Sequence, residues 1–282
     1  ALSRLNGSVL LGGKRTDTED GIRITTSATV VQVANSSASA VTLPELILAA
    51  TDRIDVAAGS VLTGTGTAGG TSPEVIQAES SGALMRLSKG AQTRVDRGTA
   101  VSDAAGDVRI AQGATLTADT ALLIDATRST ESLGVLRVGG AGGAGGSLSL
   151  SSMQVSLGDT LSSAEPLSGL VLSNADLVSF ASLDQFVLRG YGSIDLIGET
   201  RLGSTSLAGL TLDTPLLRGR TSESGAAPQA QITAAQIHLA NSANSVSTAS
   251  TGTGTLIAQA ERIVIGDGSK SVSGFSDVRL VA

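Results

Sequence analysis

Apolar and polar residues alternate in short runs along this chain, most clearly within 183–217. In 193–197, Ile194 and Leu196 point to one face, and Ser193, Asp195 and Ile197 to the other. In 207–213, Leu210 and Leu212 share a face opposite Thr211 and Asp213, and 186–189 gives a third run. A period of two is the strand signature. Each run is bounded by Gly or polar turn residues, and helix signals are missing between them. Ile194, Leu196, Leu210 and Leu212 are therefore expected inside, with Ser193 facing water.

The same unit recurs from end to end. Ser8–Leu11 is a short strand followed by a polar turn over 12–21, and 22–33 alternates well. Pro44 breaks the run 41–48 and predicts a bend or an edge there. The segments 53–62 (RIDVAAGSVL) and 107–116 (DVRIAQGATL) share one layout, strand then Gly then strand, and are the best internal similarity. Strand patterns continue at 83–87, 92–95, 122–125, 135–138, 148–157, 170–172, 177–180, 232–239, 255–258, 262–265 and 278–281. Three Gly/Ser/Pro-rich stretches, 63–74, 139–146 and 219–229, interrupt the alternation and are expected to protrude as loops. The Ser/Thr/Asn-rich 241–254 is a further candidate loop.

This pattern predicts an all-β fold, a right-handed parallel β-helix (β-solenoid) forming one continuous elongated rod over 1–282. Coils of about 20–27 residues give roughly a dozen rungs. At about 4.8 Å per rung the rod would be about 55–65 Å long. The competing architecture is an antiparallel sandwich or barrel. It is disfavoured because Asn6-Gly7 is the only Asn-Gly hairpin dipeptide.

Composition sharpens the picture. Hydrophobic residues make up 41% of the chain but aromatics only 1%. A globular core normally fills volume with aromatics, whereas Leu, Ile, Val and Ala suit a narrow core repeated many times. Charged residues, at 16%, fall below the roughly 25% of ordinary domains. A net charge of −6 argues against nucleic acid and anionic membrane surfaces as partners. The absence of Cys excludes disulfides and thiolate metal sites and fits an exported bacterial protein. No stretch approaches the roughly 20 apolar residues of a membrane helix, and the start has no signal-peptide layout. Both ends read as cut from a longer chain, without caps.

Few constellations carry chemistry. Gly140-x-Gly142-x-x-Gly145 formally matches a dinucleotide fingerprint, but the residues after it alternate as a strand where a helix is needed. Asp17, Glu19 and Asp20 crowd before Gly21 and form a weak calcium candidate, with a solvated acidic turn as the simpler reading. His238 is the only histidine and sits on the polar face of a strand, with no nucleophile elbow in the sequence. Asp184, Asp195, Glu199 and Asp213 could cluster as in β-helix lyases and hydrolases, but only Tyr191, Phe180 and Phe186 supply aromatics nearby. Arg189, Arg201 and Arg218 are expected to pair with those acids or to be solvated. The expectation is no enzyme, no catalytic residue and no cofactor.

The Gly-bounded units 134–138 (GVLRV) and 146–150 (GSLSL), and above all 260–269 (AERIVIGDGS) and 273–282 (SGFSDVRLVA), carry a resemblance. The chain resembles the filamentous haemagglutinin family, the large exoproteins of bacterial two-partner secretion. The resemblance implies an outer-membrane transporter as secretion partner, a long β-helical shaft, and an extracellular or cell-surface role in adhesion, biofilm or fibres. It supplies no catalytic residue, and the sequence names no host or cell-surface ligand. A carbohydrate-binding or carbohydrate-cleaving β-helix and an autotransporter passenger are the alternatives. An uncapped strand at either end further predicts self-association, end to end or side by side.

Overall fold

The computed structural model describes residues 7–67, 74–98, 101–139, 145–159 and 167–282. Strand dominates: among the described residues there are 28 β strands, one α-helix and one short 3-10 turn at Ser37–Ser39. No helix among them is long and apolar enough to cross a membrane. The chain divides into two compact units, Ala1–Leu150 and Ser151–Ala282.

In the first unit, β1 (Ser8–Leu11) opens a large sheet, and β2 (Gly13–Thr18) and β3 (Gly21–Thr26) make a hairpin in a small one. Strands β4 (Val30–Val33) and β5 (Val41–Leu43) each start a parallel stack, and β6 (Glu45–Ala50) returns to the large sheet beside β1. The chain then revisits the stacks in the same order. β7 (Arg53–Val56) pairs with β4, and β8 (Val61–Gly64) with β5. An excursion comes next: β9 (Val75–Ala78) joins the small sheet, β10 (Ala83–Ser88) the large one, and β11 (Arg94–Asp96) the small one again. β12 (Asp107–Ile110) and β13 (Thr115–Ala118) rejoin the two stacks beside β7 and β8, and β14 (Ala121–Ala126) the large sheet. β15 (Ser129–Ser132) and β16 (Val135–Val138) complete the stacks.

The expected internal similarity is a structural one. Residues 53–56 lie in register beside 107–110, with Val56 opposite Ile110, and Val61 lies opposite Thr115. Gly59 and Gly113 hold the corner between the strands at φ 74° and 82°, a left-handed conformation that glycine adopts without steric cost. Pro44 falls at the corner between β5 and β6, where no ladder hydrogen bond is lost.

Not all pairing is parallel. β10 runs antiparallel to both β6 and β14, with Met85 between Leu48 and Ile124, and Arg86 between Ile47 and Leu123. The polar turn expected over 12–21 is instead mostly strand β2, and only Glu19 and Asp20 form the turn into β3. The signal is Asp20-Gly21, a hairpin dipeptide as strong as Asn-Gly. The alternating run 22–33 is two strands, β3 and β4, in different sheets.

The small sheet, in the order β11-β9-β3-β2, covers one face of the large sheet. Ile22, Ile24, Ile76, Ala78 and Val95 from the one pack with Ile47, Ala49, Leu84 and Leu123 from the other. On the opposite face Leu46, Leu48, Met85, Leu87, Leu122 and Ile124 are fully buried. β6, β10 and β14 are therefore buried on both faces, which explains their nearly unbroken apolar runs.

Strand β17 (Ser147–Gly158) crosses the division between the units. In the second unit β18 (Leu170–Ser173) pairs with the end of β17 and leads into α1 (Asn174–Ser179). The helix replaces the strand expected around 177–180. The capping box decides the matter: Ser173 N–H donates to Asp176 Oδ2 at 2.8 Å and Asp176 N–H to Ser173 Oγ at 3.3 Å, a helix start legible as S-x-x-D.

From there short strands follow one another. β19 (Gln185–Ile197) leads to β20 (Glu199–Gly203), β21 (Gly209–Asp213), β22 (Leu216–Arg220), β23 (Gln229–Thr233) and β24 (Gln236–Ala240). β25 (Gly254–Gln259), β26 (Arg262–Ile265), β27 (Ser271–Ser273) and β28 (Phe275–Val281) complete the unit. The parallel stacks are β19-β21-β24-β26, β20-β23-β25-β28 and β19-β22-β27. Register aligns like with like: Phe186, Leu210, Ile237 and Ile263 form one column, and Leu202, Ile232, Ala258 and Leu280 another. Ile194, Leu196, Leu210 and Leu212 are buried as expected. Ser193 is not solvent-facing, with 7% of its surface exposed. Arg218, Arg220 and Gln154 reach Asp195 on the same strand face.

The expected loops fall mostly between strands. Residues 68–73 of 63–74, and 140–144 of 139–146, lie outside the described residues. Within 219–229, Gly219 and Arg220 belong to β22 and Gln229 to β23, leaving 221–228 as the connection.

Candidate functional site

Three ion pairs among the described residues are buried on both sides or nearly so, Arg86–Glu45, Arg97–Asp125 and Arg189–Asp213. On the covered face of the large sheet, Arg86 is fully buried, a position tolerable only with its donors satisfied. Its Nε donates to Glu45 Oε1 at 2.7 Å, Nη1 to the Ala91 carbonyl at 2.9 Å and Nη2 to Ser88 Oγ at 3.0 Å. Burial pulls the Arg86 pKa down, and Glu45 opposes that shift. Arg97, just beyond β11, donates from Nε to Asp125 Oδ2 on β14 at 2.7 Å and from Nη1 to the Ser80 carbonyl at 3.1 Å. This pair ties the small sheet to the large one. Asp107 takes both Arg128 Nε at 2.7 Å and Nη2 at 2.6 Å, and Ser129 Oγ at 2.7 Å.

In the second unit the pairs obey strand register. Asp195 lies opposite Arg218 and accepts from its Nε at 3.0 Å and Nη2 at 2.6 Å. Gln154 Nε2 adds a bond at 2.9 Å and Arg220 Nη1 one at 3.4 Å. Asp213 lies opposite Arg189 and accepts from its Nε at 2.7 Å, from Ser242 N–H at 2.7 Å and from Ser242 Oγ at 2.5 Å. The Arg189 guanidinium also sits 5.6 Å from the Tyr191 ring centre. The expected pairing of Arg189, Arg201 and Arg218 with nearby acids is realised, Arg201 meeting Glu199 at 2.6 Å. Asp195 closes on Arg218 and Arg220, Asp213 on Arg189, and Asp184 is exposed.

These pairs set the acid response. Burial pushes Asp213 and Asp107 up, but the opposing contributions of Arg189 and Ser242, and of Arg128 and Ser129, outweigh it and leave both pKa values low. A carboxylate depressed on folding stabilises fully above its unfolded value of about 4, and that contribution is lost as pH falls through the lower folded value. The melting temperature should therefore decline below about pH 4. Asp213→Asn should lower stability at pH 7 and flatten the acid decline, read from thermal melts between about pH 2 and 7. An unchanged acid slope in that variant would show that Asp213 does not carry it.

Of the four acids, Glu199 lines an open groove of about 490 Å³ on the second unit. The groove lies over β20, β23 and β25, with Asp159, Arg201, Gln229, Gln231 and Thr255 among its walls. Register stacks Glu199, Gln229 and Thr255 in one column, and Arg201, Gln231 and Ile257 in the next. Such a surface offers carboxylate, amide, guanidinium and hydroxyl groups to a hydroxyl-rich ligand.

The free edge of β20 is closed by Asn174 on α1. Its Nδ2 donates to the Glu199 carbonyl at 2.8 Å, and its Oδ1 accepts from Arg201 N–H at 3.1 Å. The side-chain amide thus substitutes for a neighbouring strand at an edge that would otherwise invite pairing. Asn174→Ala should cost about 1–2 kcal/mol for the two bonds and speed amide exchange at Arg201. An unchanged exchange rate there would contradict the cap.

Asp17 pairs with Arg15 at 3.1 Å, Glu19 and Asp20 form the hairpin turn, and no group of three potential metal ligands forms among the described residues. His238 is exposed on β24, with Thr211 and Val264 as register neighbours. Gly140 and Gly142 of the glycine fingerprint lie outside the described residues, and the segment 147–158 beyond it is strand β17, not a helix. No family model, no curated protein and no solved structure matches the chain.

Proposed function

We propose that this chain is a shaft segment of a secreted bacterial fibre or adhesin, coiled as a right-handed parallel β-helix, of the filamentous haemagglutinin type. In this reading it leaves the cell through an outer-membrane two-partner transporter and works at the cell surface or outside. Its contribution is mechanical: length, rigidity and resistance to proteolysis. The observation that carries the reading is the in-register repetition of parallel strands with aliphatic columns between them. Register steps such as Val31 to Ile54 and Thr211 to His238 match coils of about 20–27 residues. Arginine–carboxylate pairs lock neighbouring strands, Arg189 to Asp213 and Arg218 to Asp195.

The test exchanges the segment within its native chain. Replacing it by an unrelated β-helical segment of equal coil number should preserve surface attachment of the bacterium, and deleting it should reduce attachment. Attachment lost on replacement would show that the segment carries a binding function of its own.

A second reading rests on the groove at Glu199 and Arg201: binding or cleavage of a carbohydrate on the outer strand face. Glycan-array binding that disappears in Glu199→Gln and Arg201→Met, with unchanged melting, would favour it over a shaft. An autotransporter passenger is separated from both by a barrel domain encoded in the same gene.

A further inference from the structure

The outward face of β23 carries two side-chain amides without a partner. Gln229 and Gln231 are exposed and flank the buried Ala230, so both project from one side, about 6.7 Å apart. Neither amide has a hydrogen-bond partner among the described residues, and nor has the hydroxyl of Thr255, the register neighbour of Gln229 on β25. All three line the groove of about 490 Å³. Each amide offers a carbonyl acceptor and two N–H donors, and the hydroxyl both donates and accepts. Ile257, beside Gln231, and Ala226 and Ala227 on the connection 221–228 add apolar surface to the same groove.

The charges of the groove are engaged within the protein. Arg201 donates from Nε at 2.9 Å and from Nη2 at 2.6 Å to Glu199 Oε1. Asp159 Oδ2 accepts the Glu199 N–H at 3.0 Å. Two carboxylates against one guanidinium leave the walls negative, on a chain of net charge −6, and that balance repels an anion. A peptide strand pairs with a sheet edge, not a face, and Asn174 closes the edge of β20. The ligand that matches is uncharged, rich in hydroxyl groups and partly apolar, which describes a sugar. Equatorially linked pyranose rings advance by about one strand spacing per ring. A short glycan laid across β20, β23 and β25 therefore meets a new polar group at each strand.

We propose that this groove binds an uncharged oligosaccharide across the strands, with Gln229, Gln231 and Thr255 as its main contacts and the Arg201–Glu199 pair at one end. This rests on the carbohydrate reading of the groove and narrows it to a ligand class, a direction and a set of residues.

The test is a glycan array carrying neutral and acidic oligosaccharides, followed by NMR titration of this chain with members of both classes. Binding should be confined to neutral members, with shifted resonances in β20, β23 and β25. Gln229→Ala and Gln231→Ala should each raise the dissociation constant about three- to tenfold, and the double variant more. Melting should be unchanged, because both side chains face outward. Neutral glycans that fail to bind, or that bind the double variant as well as the wild type, would overturn the proposal. Acidic glycans held through Arg201 and indifferent to both glutamines would overturn the uncharged ligand yet leave the groove a carbohydrate site. An array and titrations without any binder would remove both.

Discussion

Asp125→Ala should be among the most damaging single substitutions in the first unit, costing about 3–5 kcal/mol, because it strands a buried guanidinium. Arg97 keeps its bond to the Ser80 carbonyl but loses the 2.7 Å bond to the Asp125 carboxylate. Neither partner reaches solvent: the Asp125 side chain is fully buried and that of Arg97 nearly so. Replacing both by apolar residues, Arg97→Met with Asp125→Leu, should recover most of the loss, since the desolvation cost disappears with the charges. The exposed pair Arg201–Glu199 gives the contrast, and Arg201→Ala should change stability by at most about 1 kcal/mol. Chemical denaturation, with hydrogen exchange read along β10 and β14, measures all three. If Asp125→Ala and Arg201→Ala cost the same, the pair is not what fastens the small sheet to the large one.

That fastening is not legible in the sequence, for a physical reason. Alternation reports only that one face of a strand is buried. The runs LILAA in β6 and ALLIDA in β14 depart from it, and near-continuous apolar runs signal burial on both faces. The second face is covered by a hairpin at residues 13–26 and two strands from a later excursion. That pairing joins segments far apart in sequence and arises from no local pattern. The match of 53–62 with 107–116 is legible, because equivalent corners need equivalent residues: Gly59 and Gly113 share a positive φ. It skips over the excursion as if that were absent.

The ionic centres are half legible. Arg189, Arg201 and Arg218 can be assigned the right class of partner because low total charge leaves few alternatives. Which acid each arginine takes is decided by register, Asp195 opposite Arg218 and Asp213 opposite Arg189, and register is a tertiary property. Arg86 and Asp125 give no warning, since each interrupts an apolar run in the way an edge residue would. The helix at Asn174–Ser179 is legible from Ser173 and Asp176. Leu177 and Val178 obscure it, because they also fit a strand.

The second large effect is expected at β19, where both faces are now accounted for. Leu196 is fully buried and lies opposite Gly219 in the neighbouring strand. Leu196→Ala should cost about 2–5 kcal/mol through lost burial and the cavity it leaves. Leu196→Asp should cost more, because an unpaired buried carboxylate is expensive. That is a large fraction of the roughly 5–15 kcal/mol that holds a domain together. Ser193 would be harmless to replace if its face were open, but it is buried on the same face as Asp195. Ser193→Asp brings a second carboxylate beside one whose arginine partners are already engaged. It should cost about 1–3 kcal/mol, and Ser193→Ala less than about 1 kcal/mol. The expected order of stability is therefore wild type, Ser193→Ala, Ser193→Asp, Leu196→Ala, Leu196→Asp, measured by urea denaturation with exchange monitored in β19 and β22. A Ser193→Asp protein as stable as wild type would mean that the Asp195 face opens readily to water, and that Arg218 and Arg220 cover it without sealing it.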